Sequence, residues 1–241
     1  MTKYATSNLY DTIYGGAKVM RGGNTNATTI VSLINNKKEF LVKIFAMLIT
    51  QLGITYYIMT NYSRKNDKNK YIPKTWVLVL LSFILIIVLA FVRTNMYLKF
   101  GLFTAFSALT GLIFSELMQI TSPEAVKVAV AGTLGIFVSM FLVGAGLLAS
   151  GIEFGIRFGL VLLFSLIILI VFSLVSIFMT NYSQIHRYLT AIGLVLFSVY
   201  IVYDTNTILQ KDYYGDFITA SLDYYLDIIN IFVRLLNYNR N

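Results

Sequence analysis

Seven long apolar stretches constrain the fold of this chain more than any other feature of its sequence. A helix that crosses the hydrocarbon core of a bilayer needs about 20 mostly apolar residues, and each stretch approaches or reaches that length. The stretches are 40–60, 75–92, 98–117, 125–149, one that begins within 151–159 and ends at Met179, 188–209 and 217–236. We therefore predict an all-α membrane protein, a bundle of seven transmembrane helices.

The segments between these stretches are short, which predicts that consecutive helices pack antiparallel in one bundle. Residues 1–38 are polar and contain glycine, so we expect a flexible N-terminal tail, followed by a transmembrane domain over 39–237. No apolar core of the kind found in signal peptides lies near the start. The first apolar helix is therefore expected to act as an uncleaved anchor.

Composition excludes several classes of function. Only 12% of the residues are charged and 57% are hydrophobic, whereas soluble domains have about 25% charged residues. The sequence contains no cysteine and one histidine, His186, and a zinc hydrolase typically needs several such ligands around one ion. We expect no enzymatic activity, no cofactor and no metal site of fixed geometry.

The net charge of +8 comes from short basic segments that flank the apolar stretches, which predicts a lipid bilayer as partner and no nucleic acid.

Three ionisable residues stand inside or directly beside apolar stretches. Asp204 lies in the sixth stretch, Asp227 lies near the middle of the seventh, and Arg93 directly follows the second. A charge at the centre of a membrane helix costs about 2.5–3.5 kcal/mol on insertion scales, so such residues normally face the protein interior and have a partner. If Asp204 and Asp227 face each other, they can share one proton and titrate as a coupled pair. That pair, with Arg93 as a further partner, is a candidate pH sensor or gate.

The alternative is a structural role, in which buried aspartates hold helices together through hydrogen bonds to tyrosine and asparagine side chains. Side chains available for such bonds are Tyr200, Tyr203, Tyr224, Tyr225 and Asn230. The residues alone leave this alternative open.

Three further acids are secondary candidates for an ion path. Asp223 precedes Asp227 by one helical turn and shares its helix face. Asp216 is expected in a solvated loop, and Glu116 closes the third stretch, where it faces either the same interior or solvent. Lys99, at the edge of that stretch, is expected to extend to the lipid headgroups.

Glycines recur every four residues at Gly151, Gly155 and Gly159. In a helix this spacing places small residues on one face and permits close packing of a neighbouring helix. The alternative is that Gly151 and Gly155 belong to a loop.

The C-terminal part of the sequence resembles the transmembrane Bax inhibitor motif family. SVYIVYDTNTIL (198–209) and DFITASLDYYLDIINIFVRLL (216–236) are similar to the last two helices of that family, with its Tyr-Asp-Thr and Leu-Asp-Ile-Ile-Asn segments. FLVKIFAMLITQLGIT in the first stretch, LAFVR (89–93) and TSPEAVKVAVAGTLGIF (121–137) resemble its first, second and fourth helices. The resemblance covers about 38–237. It departs at Asn206, where relatives often have glutamine.

This resemblance implies a seven-helix bundle in which the last helix is central and enclosed by the other six. It also implies calcium leak from stores, suppression of cell death, and a pair of aspartates that closes the pore and senses pH, with an arginine from the second helix as partner. The matching positions are Asp204, Asp227 and Arg93. Family members reside in the Golgi or endoplasmic reticulum membrane, or in the plasma membrane of bacteria.

The polar N-terminal tail lacks the Pro/Gly-rich extension of some members, which places the chain nearer the Golgi anti-apoptotic type. Abundant Tyr, Asn, Ile and Lys is typical of an AT-rich genome, such as that of a large DNA virus or a protist.

The leading hypothesis is a pH-sensitive calcium leak channel that inhibits apoptosis by lowering store calcium, with calcium and protons as its ions. The alternative is a non-conducting membrane adaptor that binds cell-death regulators. Self-association is a further interaction to consider.

Overall fold

Helices account for almost all residues that the computed structural model describes, which are 27–64, 75–92, 95–176, 182–211 and 213–240. This described part is all-helical, with eight α-helices and one short 3-10 helix at Tyr213–Gly215. The α-helices are α1 (Ala27–Asn36), α2 (Lys38–Arg64), α3 (Thr75–Phe91), α4 (Met96–Gln119), α5 (Pro123–Ala149), α6 (Ile156–Ser176), α7 (Tyr182–Gln210) and α8 (Phe217–Arg240).

Five of these helices, namely α2, α4, α5, α6 and α7, are long and apolar enough to cross a membrane. Many large apolar side chains on α6 are exposed, as on Val161, Phe164 and Phe172, which is the pattern of a surface that faces lipid. The chain is therefore an integral membrane protein. The other two predicted spans differ: α3 is apolar but has 17 residues, and α8 carries three charged residues between 217 and 234. The count of seven spans stays a prediction.

The ends of the helices follow local sequence signals. Asn95 caps α4, its side chain accepting a hydrogen bond from the backbone N–H of Leu98 at 3.0 Å. Ser122 caps α5 in the same way through Ala125 at 3.2 Å, and Pro123 occupies the first turn, where no N–H is needed. α7 begins at Tyr182, before the predicted span starts at 188. Hydropathy identifies only the apolar part of a helix that extends into a polar segment.

The glycine series does not form a helical packing face. Gly151 adopts a positive φ of 83° at the turn after α5, and Gly155 precedes α6, so the loop alternative is confirmed for both. Gly159 lies within α6, where an added methyl group would collide with the hydroxyl of Tyr203 on α7.

Helix α1 lies within the segment 1–38 that was expected to be a flexible tail. Its Ile30 and Ile34 are one turn apart and pack against the hydrophobic core, and α1 contacts α2 and α5. These two side chains form an apolar edge on α1, although segment 1–38 is mostly polar. This edge suffices to pack the short helix against the core of the bundle. Residues 1–26 lie outside the described part of the chain.

Helix α8 packs against α2, α4, α5 and α7, whereas α3 packs against α4 and α6 packs against α7. The α8 side chains that contact these neighbours include several with 0% exposure: Ala220, Ser221, Tyr224, Tyr225 and Ile231. The aromatic ring of Tyr225 meets Phe103 and Phe106 of α4 edge-on, and that of Tyr224 meets Phe137 of α5. Helix α8 thus contributes many of the fully buried side chains of the bundle.

Candidate functional site

The carboxyl groups of Asp204 and Asp227 meet between α7 and α8. Asp204 is 7% exposed and Asp227 is 3% exposed, and the two side chains interact directly through a hydrogen bond. An ionised carboxylate only accepts hydrogen bonds, so a bond between two carboxyl groups needs a proton on one of them. The other oxygen of Asp227, Oδ2, is buried and has no hydrogen-bond partner within the described residues. The structure thus brings the two predicted aspartates together.

A close approach between α5 and α7 supports the position of Asp204. A Cβ atom added at Gly144 of α5 would lie 2.6 Å from the Val202 carbonyl oxygen and 2.8 Å from Thr205 Cβ. Only glycine permits this separation of the two backbones. The turn of α7 that carries Asp204 is therefore held against α5 as well as against α8.

Asp223 joins the pair as a third acid. It lies one turn before Asp227 on α8, its charge acts on Asp204, and its carboxyl group accepts a hydrogen bond from the hydroxyl of Tyr213. Burial, followed by the nearby charge of Asp223, raises the pKa of Tyr213, which keeps this hydroxyl protonated as a donor. The site is therefore a cluster of three acids, defined here as Asp204, Asp223 and Asp227.

A buried ion pair lies beside this acid cluster. Lys99 of α4 is 5% exposed and forms an ion pair with Asp216, which directly precedes α8. Lys99 also donates a hydrogen bond to the hydroxyl of Thr219. The expectation that Lys99 extends to the headgroups was wrong, because a carboxylate and a hydroxyl at the start of α8 bind its ammonium group inside the bundle.

Asp216 lies between the 3-10 helix and α8, as a loop residue, but its side chain is only 29% exposed. Its Oδ1 accepts the backbone N–H of Thr219 at 3.0 Å, which caps the first turn of α8. Partial burial opposes ionisation of this carboxyl, but hydrogen bonds from Lys99 and Thr219 outweigh it and hold its pKa below its usual range. Asp216 is thus an ionised, paired residue rather than a fully solvated one.

The remaining two predicted site residues do not join the acid cluster. Glu116 is half-buried near the end of α4 and accepts a hydrogen bond from Thr75 at the start of α3. It is about 25 Å along α4 from Lys99, at 1.5 Å per residue, and so lies toward the opposite end of the bundle. Arg93 lies outside the described residues.

Asn206 is a residue of this region that sequence reasoning noted only as a departure from the family pattern. It is fully buried, accepts the N–H of Phe154 at 2.9 Å and donates to the carbonyl of Ile152 at 2.9 Å and that of Gly144 at 3.4 Å. These bonds attach the loop between α5 and α6 to α7, two residues from Asp204. The sequence signal for this role of Asn206 is a single amide side chain within an apolar stretch.

The structural alternative for the aspartates invokes hydrogen bonds to neighbouring tyrosine and asparagine side chains, three of which have other partners. Tyr224 instead donates to the Thr205 hydroxyl at 2.9 Å, and Tyr225 shares a hydrogen bond of 2.5 Å with the Thr55 hydroxyl. Asn230 donates to the Leu226 carbonyl of its own helix. The two tyrosines thus join α8 to α7 and to α2, Asn230 bonds within α8, and none of these three hydrogen bonds engages the acid pair. No group of three or more His, Asp or Glu side chains in the described ranges is arranged to hold a metal ion.

Comparison with known proteins identifies the family. The family model described as inhibitor of apoptosis-promoting Bax1 matches residues 37–240. The chain belongs to this Bax inhibitor family. The match spans α2 to α8 and leaves α1 outside, so the acid cluster and the Lys99–Asp216 pair both lie within the family domain.

Relatives of this Bax inhibitor family member come from fungi, viruses and plants. It is similar to Bax inhibitor 1 of Schizosaccharomyces pombe, with 32% identity over 209 residues, 83% of this chain and 75% of that protein. It is similar to the Golgi anti-apoptotic protein of vaccinia virus (strain Lister), with 28% identity over 221 residues, 88% and 90% of the two chains. It also matches Protein LIFEGUARD 4 of Arabidopsis thaliana, with 31% identity over 145 residues, 60% of this chain and 57% of that protein.

Proposed function

We propose that this Bax inhibitor family member is a pH-sensitive calcium leak channel of the Golgi or endoplasmic reticulum membrane, and that it inhibits apoptosis by lowering store calcium. The observation that carries the proposal is the buried, hydrogen-bonded carboxyl pair of Asp204 and Asp227. The cellular part is supported by relatives whose names include Bax inhibitor 1 and Golgi anti-apoptotic protein.

The pair has the chemistry of a proton-operated gate. With one shared proton, the two carboxyl groups bind each other and hold α7 against α8. Loss of that proton leaves two negative charges in contact within a medium of low dielectric, where their repulsion is far stronger than in water. The helices then separate, so leak increases as the pH rises.

Calcium is the cation that suits this path. Ca²⁺ takes oxygen ligands at flexible geometry, and the acid cluster supplies carboxylates without a rigid metal cage. Buried hydroxyls of Thr207 and Ser221 have no hydrogen-bond partner within the described residues, and buried polar groups of this kind usually bind water. A hydrated, acidic path along α8 accommodates a cation.

The proposal includes seven crossings with α8 as the central helix. A helix with two acids, Asp223 and Asp227, and the basic residue Arg234 is tolerated in a bilayer when protein rather than lipid surrounds it. Contacts of α8 with α2, α4, α5 and α7 support that arrangement. Arg93, which follows the second span, is proposed as the competing partner for one carboxylate when the pair opens.

The test is calcium flux into proteoliposomes across a pH series, with a calcium-sensitive dye inside. Asp204→Asn and Asp227→Asn remove the acid that loses the proton, so the dependence of leak on pH is expected to flatten in both. Glu124→Gln, an exposed acid at the start of α5, is the matched control and should keep the wild-type profile.

An unchanged pH profile in both aspartate variants would refute the gating role. Wild-type protein that passes no calcium at any pH, yet protects cells from death, would favour the adaptor function instead. Calcium flux measured with purified protein, together with a cell-survival assay of the same variants, therefore distinguishes the channel function from the adaptor function.

A further inference from the structure

A cavity of about 350 Å³ lies where the ends of three helices meet, between α6, α7 and α8. Its polar lining consists of Ser173 on α6, His186 and Thr190 on α7, and Arg234 on α8, and the rest is leucine and isoleucine. Ser173 is near the C-terminal end of α6 and His186 is near the start of α7. This cavity therefore lies toward one face of the membrane, on the side of the bundle away from Lys99.

Arg234 is placed in this cavity by specific contacts. Its Nη1 donates to the Leu189 carbonyl at 3.1 Å, and its guanidinium lies over the Phe197 ring, 5.2 Å from the ring centre. A side chain at Gly193 would overlap the guanidinium, so glycine at this position of α7 provides the space that the group occupies. The orientation of Arg234 is thus fixed by α7.

Within the described ranges, Arg234 forms no ion pair with an acid. The ion pair found there joins Lys99 to Asp216. The Nε atom of Arg234 is buried and has no hydrogen-bond partner within the same ranges. Cations inside a membrane protein normally pair with an opposite charge or with backbone carbonyls, and an anion in the cavity would complete the partners of this guanidinium.

The geometry of the donors indicates which anion. A guanidinium binds phosphate oxygens through paired, charge-assisted hydrogen bonds, and the hydroxyl of Thr190 lies in the same cavity as a further donor. The apolar walls suit the first carbons of an acyl chain, and the ends of transmembrane helices lie at the depth of phospholipid phosphates. We propose that this cavity binds a phosphate group, supplied by a phospholipid headgroup or by free phosphate.

The experiment measures thermal unfolding of the purified full chain in detergent with three additives. Dioleoyl phosphatidic acid and dioleoylglycerol share their acyl chains and differ in the phosphate, and sodium phosphate is compared with sodium chloride at equal ionic strength. We expect phosphatidic acid, but not dioleoylglycerol, to raise the unfolding midpoint, since a ligand that binds the folded state stabilises it. A rise with sodium phosphate as well identifies free phosphate as a ligand, whereas no such rise identifies the phospholipid.

Arg234→Gln is expected to weaken binding of phosphatidic acid about tenfold or more, the usual effect of losing a charged hydrogen-bond donor. Arg187→Gln, which removes an exposed charge from the neighbouring turn of α7, is the matched control and should bind normally. Should Arg234→Gln fail to fold, Arg234→Lys and Thr190→Val test the same contacts, with partial loss expected in each. Asp204→Asn should retain binding, which separates this site from the proposed channel.

The proposal is overturned if phosphatidic acid and dioleoylglycerol act alike and sodium phosphate has no effect. It is also overturned if Arg234→Gln retains the full shift, or if Arg187→Gln loses as much as Arg234→Gln. The last result would mean that general basic charge at this membrane face attracts the lipid.

Discussion

At the residue scale, the ionisable side chains inside the bundle have three different kinds of partner. The carboxyl groups of Asp204 and Asp227 form a hydrogen bond with each other, and Lys99 forms an ion pair with Asp216. Arg234 has a backbone carbonyl and an aromatic ring as neighbours. Lys99 therefore has a counter-charge within the described residues, whereas the counter-charge that we propose for Arg234 is a bound phosphate group.

The Lys99–Asp216 pair gives a prediction for stability and its pH dependence. Asp216→Asn is expected to lower the free energy of unfolding by about 1–2 kcal/mol, less than for a fully buried pair because Asp216 is partly exposed to solvent. The pKa of Asp216 is lower in the folded state, so its stabilising effect is present above the ordinary value near pH 4. It is lost as pH falls through the lowered value.

Chemical or thermal unfolding of wild type and Asp216→Asn between pH 2 and pH 7 measures this difference. The two proteins should differ at neutral pH and converge in acid. Glu124→Gln, which removes an exposed acid, serves as the control. A constant difference across the whole range would contradict the assignment of an ionised Asp216.

At the element scale, the bundle depends on close approach between particular helices. Helices α5 and α7 are in close contact at Gly144, and α2 and α4 are in close contact at Gly111. At Gly193 of α7, the absence of a side chain leaves room for the guanidinium of Arg234. Each of these glycines lies where a neighbouring backbone or side chain occupies the place of a Cβ atom. Helix packing in membranes favours small residues at such contacts. The spacing of glycines along the chain does not reveal these contacts, because they depend on which helices become neighbours.

Gly144→Ala tests the α5–α7 contact. The new methyl group would lie 2.6 Å from the Val202 carbonyl oxygen, so α7 must shift near Asp204. We expect a loss of about 1–3 kcal/mol in stability, the usual effect of overpacking, and a calcium leak that depends less on pH because the aspartate pair is disturbed. Unfolding measurements detect the loss of stability, and calcium flux measurements on the same preparation detect the change in pH dependence.

The matched control for this substitution lies in the same helix. A Cβ at Gly135 of α5 meets nothing within 4 Å, so Gly135→Ala should be neutral or stabilise by up to about 1 kcal/mol through helix propensity. Equal effects of the two substitutions would show that the Gly144 contact has no special role.

At the scale of the whole molecule, seven crossings would place the two ends of the chain on opposite sides of the membrane. The loops after α2, α4 and α6 would then share one side with the C-terminal end of α8. The loops after α3, α5 and α7 would lie on the other side. If α8 re-enters instead, its C-terminal end returns to the side of the loop after α7.

Single introduced cysteines test this topology, because the sequence contains no cysteine of its own. Suitable exposed positions are Ile120 after α4, Lys211 after α7 and Tyr238 near the end of α8. With a maleimide that does not cross membranes, Tyr238→Cys should react from the same side as Ile120→Cys and from the side opposite Lys211→Cys. Reaction of Tyr238→Cys together with Lys211→Cys would contradict a seventh crossing.

The sequence by itself determined the membrane class, the all-α fold, the approximate helix bounds and the family, because hydropathy and the Leu-Asp-Ile-Ile-Asn segment are local properties. It also indicated Asp204 and Asp227, since an acid within an apolar stretch is unfavourable without a partner. Only the tertiary structure decided that Lys99 turns inward to Asp216, that Asn206 binds the loop after α5, and that Arg234 faces a cavity whose described lining contains no acid. These outcomes depend on which side chains of distant segments come within hydrogen-bonding distance, and that is set by packing of helices rather than by the residues beside them in the chain.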